Sequence, residues 1–138
     1  MVVMIDTNVI LDYLVTREPF FDSAMEIIKL CAQEKIKGHI AFHTVPNIFF
    51  ILRNSCSGQR RREMLQEICN MLTVTGASHE HVCQAIAREE FTDFEDCLQD
   101  ECAKEIHADY IITRNTQDFR YSEIKAVTPE EFLQVISK

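Results

Sequence analysis

Along this chain the spacing of apolar residues switches repeatedly between strand-like and helix-like periods. Val2 to Ile5 is an unbroken apolar run rich in β-branched residues, as expected of a strand covered on both faces of a parallel sheet. It ends in Asp6-Thr7-Asn8, all helix-capping types, followed by a helical stretch from Val9 to Leu14. Asp22 or Ser23 is expected to cap a second helix, with Ala24, Ile27, Ile28 and Cys31 on its inner stripe. Gly38 reads as punctuation before a strand from His39 to Phe42. Thr44 then reads as the cap of a helix through Val45, Ile48, Phe49 and Leu52. A loop from Ser55 to Gly58 precedes a helix from Gln59 to Leu72, and Leu72 to Val74 reads as a short strand.

The second half repeats the alternation. Ser78 is expected to cap a helix through Val82, Ala85 and Ile86. A polar, acidic stretch from Glu89 to Asp96 leads into a helix reaching about His107. Tyr110 to Thr113 is a buried strand, Arg114 to Tyr121 a polar loop, and Ile124 to Val127 a last strand. Thr128-Pro129-Glu130-Glu131 supplies a cap, a first-turn proline and two acids for a closing helix that buries Phe132, Leu133 and Ile136. Strands alternating with helices predict a three-layer α/β/α sandwich around a central parallel sheet. In such sheets, sites form beyond the carboxyl ends of the strands. Asp6, the segment after Phe42, and Arg114 to Asp118 should therefore gather at one edge.

Composition narrows the picture. A length of 138 residues suits one domain over 1–138, and 46% hydrophobic residues can fill its core. The six cysteines are scattered without C-x-x-C pairs, which favours reduced thiols in a cytoplasmic protein over disulfides or a zinc site. No apolar run approaches a membrane span. The net charge of −8 opposes binding to nucleic acid through bulk electrostatics. If the chain meets RNA, either its acidity is concentrated where cations bind or a partner supplies the positive surface.

Acids stand at the expected sheet edge. Asp6 follows the first strand, Asp93, Asp96 and Asp100 lie at the start of one helix, and Asp118 follows the strand Tyr110 to Thr113. Each alone has a plainer reading as a cap or a solvated acid. Together they predict a site for a hard divalent ion, because close carboxylates repel unless a cation, protons or water separates them. Asp96 and Asp100, one turn apart, are expected to share a face. Arg53 and Arg114 are expected near the site edge. Arg60-Arg61-Arg62 reads either as a phosphate-contacting patch or as a solvated helix start.

The sequence also resembles a family. Met4-Ile5-Asp6-Thr7-Asn8-Val9-Ile10-Leu11-Asp12 is similar to the opening motif of PIN-domain ribonucleases. Asp96-Cys97-Leu98-Gln99-Asp100-Glu101-Cys102-Ala103 resembles their third motif, and Ile111-Ile112-Thr113-Arg114-Asn115-Thr116-Gln117-Asp118-Phe119 their fourth. Val127 to Leu133 resembles their closing helix. The resemblance implies a Mg2+- or Mn2+-dependent RNA endonuclease, often the toxin of a bacterial toxin–antitoxin pair and often dimeric. It implies Asp6, Asp96 and Asp118 (or Asn115) as metal-binding residues, and Thr7, Asn8 and Thr113 as polar support. It also implies a glutamate early in the helix after the second strand, where this chain has Asn47. Asparagine offers only a neutral oxygen to a cation. His43 nearby reads either as a base or as a structural histidine.

Two other readings follow from the same residues. Asn47 and the −8 charge fit a catalytically weakened, PIN-like RNA- or protein-binding module. A phosphatase or phospho-accepting receiver on a doubly wound fold is a third reading, although the acidic opening pair of a receiver is missing. No glycine-rich phosphate loop is present.

Overall fold

A computed structural model describes residues 1–138. Five strands, β1 (Val2–Ile5), β2 (Lys37–Ala41), β3 (Thr73–Thr75), β4 (Tyr110–Ile112) and β5 (Lys125–Val127), form one sheet in the order β3-β2-β1-β4-β5. Every pairing is parallel. Seven helices connect and cover it: α1 (Thr7–Leu14), α2 (Phe21–Ala32), α3 (Thr44–Ile51), α4 (Gly58–Met71), α5 (His79–Ala87), α6 (Phe94–Glu105) and α7 (Pro129–Ile136). A short 3-10 helix spans Thr116–Phe119. This is the expected α/β/α sandwich.

β1 shows why its sequence reads as an unbroken apolar run. Val3 and Ile5 enter the larger core with residues of α1, α2 and α4 and with Phe132 of α7. Met4 faces the opposite core, built with Ala85 of α5 and Cys97, Cys102 and Ala103 of α6. Alternate side chains of one strand thus fill both layers.

Several boundaries differ from the sequence reading. Gly38 does not end an element but lies inside β2, where an added Cβ would come within 2.5 Å of Cys31 Sγ and 2.6 Å of Leu72 Cδ2. Glycine is there so that α2 and α4 can press on the strand. α2 begins at Phe21, and Ser23 Oγ donates instead to Glu130 Oε1 at 2.8 Å, linking α2 to α7. α3 is preceded by His43, and Thr44, fully buried, bonds Thr7 of α1. Ile86 was expected inward, yet it is 65% exposed and only Ala85 of α5 is buried. Ser78 and Thr128 cap their helices as expected, and Ser57, read as loop, caps α4, each accepting from a first-turn N–H. All six cysteines are free, and no helix is long and apolar enough to cross a membrane.

The strand order places a topological switch between β1 and β4, since the chain builds outward from β1 through β2 to β3 and then returns to add β4 and β5 on the other side. Ile5 is in register with Ile112. Asp6 and Thr113, the next residues, therefore lie side by side where such sheets open a crevice.

Candidate active site

A cleft of about 400 Å3 opens at this switch point. Asp6, Thr7, Asn8, His43, Asn47, Phe50, Ile51, Asp93, Glu95, Asp96, Gln99, Asn115 and Asp118 line it. Five of these are acids, and none is Lys or Arg. None of the five carboxylates takes part in an ion pair.

Asp6 is the buried floor of the cleft, only 7% exposed. It stands at the N-cap position of α1, but its side chain makes no capping bond. Its Oδ2 accepts from Thr113 Oγ1 at 2.8 Å, and its Oδ1 accepts from Gln99 Nε2 at 3.4 Å. These two bonds, one from the end of β4 and one from α6, fix the carboxylate plane. Burial raises the pKa of Asp6, the bonds from Thr113 and Gln99 oppose that rise, and the charge of Asp118 adds to it. Thr7 Oγ1 and Thr44 Oγ1, 2.9 Å apart, tie the start of α1 to the start of α3.

α6 contributes the other acids. Asp93 caps it, with Oδ1 accepting from the Asp96 N–H at 3.0 Å, and also lines the cleft. Asp93 is therefore both the cap of α6 and part of the cleft wall. Asp96 follows in the first turn. Burial, then the negative charges of Asp6, Asp93, Asp118 and Glu95, push its carboxyl up to about 7. Asp118 arrives from the 3-10 helix, and the Asn115 N–H donates to Thr113 Oγ1 at 3.0 Å, folding that loop against the end of β4.

Across the cleft, Asn47 Nδ2 donates to Glu95 Oε2 at 3.0 Å. His43 Nε2 lies 3.0 Å from the Glu95 carbonyl oxygen and donates to it, while Nδ1 is buried without a partner. Burial lowers the pKa of His43, and the nearby acids oppose that fall.

The donor set suits a hard cation: carboxylate and amide oxygens and no thiolate. No three His, Cys, Asp or Glu side chains close into a ready-made metal cage. Asp6, Asp96 and Asp118 would therefore reach an ion such as Mg2+ partly through the several waters that it keeps.

Two sequence expectations are corrected here. Arg114 does not face the cleft; its Nε lies 2.9 Å from Asp12 Oδ2, and its guanidinium packs 4.0 Å from the Phe20 ring centre. Thr113 Oγ1 points to Asp6, while the Arg114 side chain turns away toward Asp12 and Phe20. Asp100 does not share the cleft with Asp96. One turn further along α6 it is fully buried, 2.7 Å from Arg88 Nη1, and accepts from Ser122 Oγ. The structure brings together Asp6, Thr7, Asn8, Asn47, Asp96, Asn115 and Asp118 in one lining, with Thr113 directly behind Asp6. Arg53 lies beside it, stacked 3.8 Å over the Phe50 ring. Arg60 to Arg62 are engaged elsewhere, Arg60 with Glu63 and Arg61 and Arg62 over Phe49.

Sequence reasoning passed over Glu95 and Gln99. Gln99 carried a usable signal, since it lies three residues after Asp96 and so on the same face of the helix. Glu95 carried none, because a first-turn glutamate is ordinarily read as a partner of the helix dipole.

A doubly wound α/β fold with an acidic crevice at its switch point defines the class of the molecule. Residues 2–117 match the PIN domain family, and the chain belongs to it. Solved structures share the fold. The VapBC2 complex of Rickettsia felis, bound to a promoter DNA fragment, has a TM-score of 0.71 at 16% identity, over 93% of this chain and 98% of that one. A toxin–antitoxin complex from Klebsiella pneumoniae has a TM-score of 0.67 at 23% identity, over 92% and 97%. VapC20 of Mycobacterium tuberculosis, described as a sarcin–ricin loop cleaving toxin, has a TM-score of 0.61 at 12% identity, over 79% and 86%. No curated protein matches the sequence.

Proposed function

We propose that this chain is a divalent-metal-dependent endoribonuclease in which Asp6, Asp96 and Asp118 hold Mg2+ or Mn2+. The observation that carries the reading is the cleft itself, where five carboxylates converge with no cationic side chain among them. Repulsion at that density is relieved by a cation, by protons or by water, and the oxygen-only lining suits a hard divalent ion. When bound, a divalent ion supplies Lewis-acid catalysis of phosphodiester hydrolysis. Thr113 and Gln99 orient Asp6 for that ion through their two hydrogen bonds. Asp96 and Asp118 approach from separate elements, so the ion site draws α6 and the loop after β4 together. Thr7, Asn8 and Asn115 line the cleft with neutral donors able to contact a phosphate without competing for the metal.

RNA is favoured as substrate by family membership and by the description of the Mycobacterium tuberculosis relative. The net charge of −8 makes RNA binding depend on the metal, which reverses the local field. One similar structure is a toxin–antitoxin complex, which supports a toxin role with an antitoxin partner; the homodimer follows from the family resemblance alone. A non-catalytic binding module is the second reading. Asn47 favours it, because α3 offers the cleft an amide instead of an acid.

The deciding experiment measures Mn2+-dependent cleavage of a mixed-sequence single-stranded RNA library. Asp6→Asn should lower cleavage by roughly 100-fold or more, with the circular dichroism spectrum unchanged. Undiminished cleavage in that variant would reject the assignment. Lack of cleavage by the unaltered chain, with Mn2+ bound, would favour the second reading.

A further inference from the structure

The first turn of α6 is held from across the cleft at two points. His43 grips the Glu95 carbonyl and Asn47 grips the Glu95 carboxylate, each at 3.0 Å. Nothing in the packing requires this of Glu95. It is exposed, forms no ion pair, and could extend into water. Fixing an exposed glutamate costs rotamer freedom. Placing it beside Asp6, Asp93 and Asp96 adds electrostatic repulsion. The helix dipole offers any first-turn acid some stabilisation, but it acts along the helix axis and does not select a rotamer turned toward α3. Asn47 does select one. Its amide cannot ionise, and its NH2 group is committed to Glu95.

Building on the metal-site reading above, we propose that Glu95 is a further carboxylate of the cation site and that Asn47 is the positioning residue that aims it. The acid that α3 lacks at position 47 is delivered instead by α6, next to Asp96, and held across the cleft by an amide. The departure at Asn47 is then a relocation of charge and not its loss.

Isosteric substitutions separate charge from shape. Glu95→Gln keeps an oxygen that can accept from Asn47 and removes only the charge. The double variant Asn47→Asp with Glu95→Gln moves the charge to α3 and reverses the polarity of the same hydrogen bond. Calorimetric titration of the full chain with Mn2+, with no RNA present, reads both. Glu95→Gln should weaken Mn2+ binding about 10-fold or more, and the double variant should regain affinity to within about threefold of the unaltered chain. Asp96→Asn serves as the reference for the underlying reading. If Asp96→Asn abolishes Mn2+ binding and Glu95→Gln leaves it within twofold, the role of Glu95 is overturned while the metal site stands. If Asp96→Asn also leaves binding intact, the metal-site reading fails. A double variant as weak as Glu95→Gln would overturn the pairing with Asn47.

Discussion

Helix α6 carries two groups of acids, one turn apart, that meet opposite fates. Asp100 and Glu101 are fully buried and meet Arg88 Nη1 at 2.7 and 2.9 Å, with Lys104 Nζ 3.2 Å from Glu101. Asp93, Glu95 and Asp96 face the cleft with no cation from the chain. The first group has its counter-charges within the chain, although Glu101 Oε2 is buried without a hydrogen bond, and it locks α5 and α6 to the segment around Ser122. The second is incomplete by construction. The same residue type on one helix therefore serves structure where the chain supplies the counter-charge, and is poised for a ligand where it does not.

The comparison breaks if removing charge has the same sign in both groups. The largest effect is expected in the buried one. Arg88→Ala would leave the buried Asp100 with only the Ser122 hydroxyl and Glu101 with only Lys104, costing about 3–5 kcal/mol in urea unfolding. A loss under 1 kcal/mol would mean that Asp100 and Glu101 find protons or water instead. Arg114→Ala should cost less, about 1–3 kcal/mol, because Asp12 retains Arg17 at 3.6 Å. Its Mn2+ affinity should be unchanged in calorimetry, since Arg114 faces away from the cleft. A weakened affinity would return Arg114 to the site.

pH sharpens the contrast from the other side. Asp96 is pushed from 3.8 to about 7, and Asp6 shifts the same way. Between those values the folded chain holds a proton that the unfolded chain has released. Stability linked to these groups is fully present below the unfolded value and is lost as pH rises through the folded one. In chelator, unfolding near pH 5 should therefore need about 1–2 kcal/mol more than near pH 8, a figure reduced for the solvent on one side of Asp96. Excess Mn2+ at the higher pH should erase the difference. A metal-free protein that gains stability toward pH 8 would contradict the crowding of the cleft.

Much of this was legible in the residues and some was not. The buried run Val2 to Ile5 fixed both the strand and the position of Asp6, because only a strand covered on both faces tolerates that pattern. The alternation of elements then implied that Asp6, the segment after Phe42 and Arg114 to Asp118 would meet at one edge, and Asp6, Asn47, Asn115 and Asp118 do; Asp96, which follows no strand, was placed there by the motif resemblance. What sequence could not supply was direction. Thr113 and Arg114 are neighbours just beyond β4, yet one reaches Asp6 and the other Asp12. Asp96 and Asp100 are one turn apart, yet only the first lines the cleft, while the second is fully buried against Arg88. Gly38 looked like a turn because its real cause, the approach of Cys31 and Leu72 to β2, lies in residues distant along the chain.

The smallest predicted effect is the most discriminating, because its sign is the reverse of the usual one. Most substitutions of a half-buried polar residue destabilise. Asp96→Asn keeps the shape of the side chain, removes one of five like charges from the cleft, and leaves the cap intact, since Asp93 bonds the backbone N–H of residue 96 and not its side chain. In chelator near pH 8 the variant should be more stable than the unaltered chain by about 1 kcal/mol, measured by urea unfolding with matched slopes. Near pH 5, where Asp96 is already protonated, the gain should vanish. On adding Mn2+ the order should invert, because the unaltered chain gains the binding energy of the ion and the variant does not. A variant less stable than the unaltered chain in chelator would mean that Asp96 has a counter-charge within the fold, and the contrast along α6 would be lost.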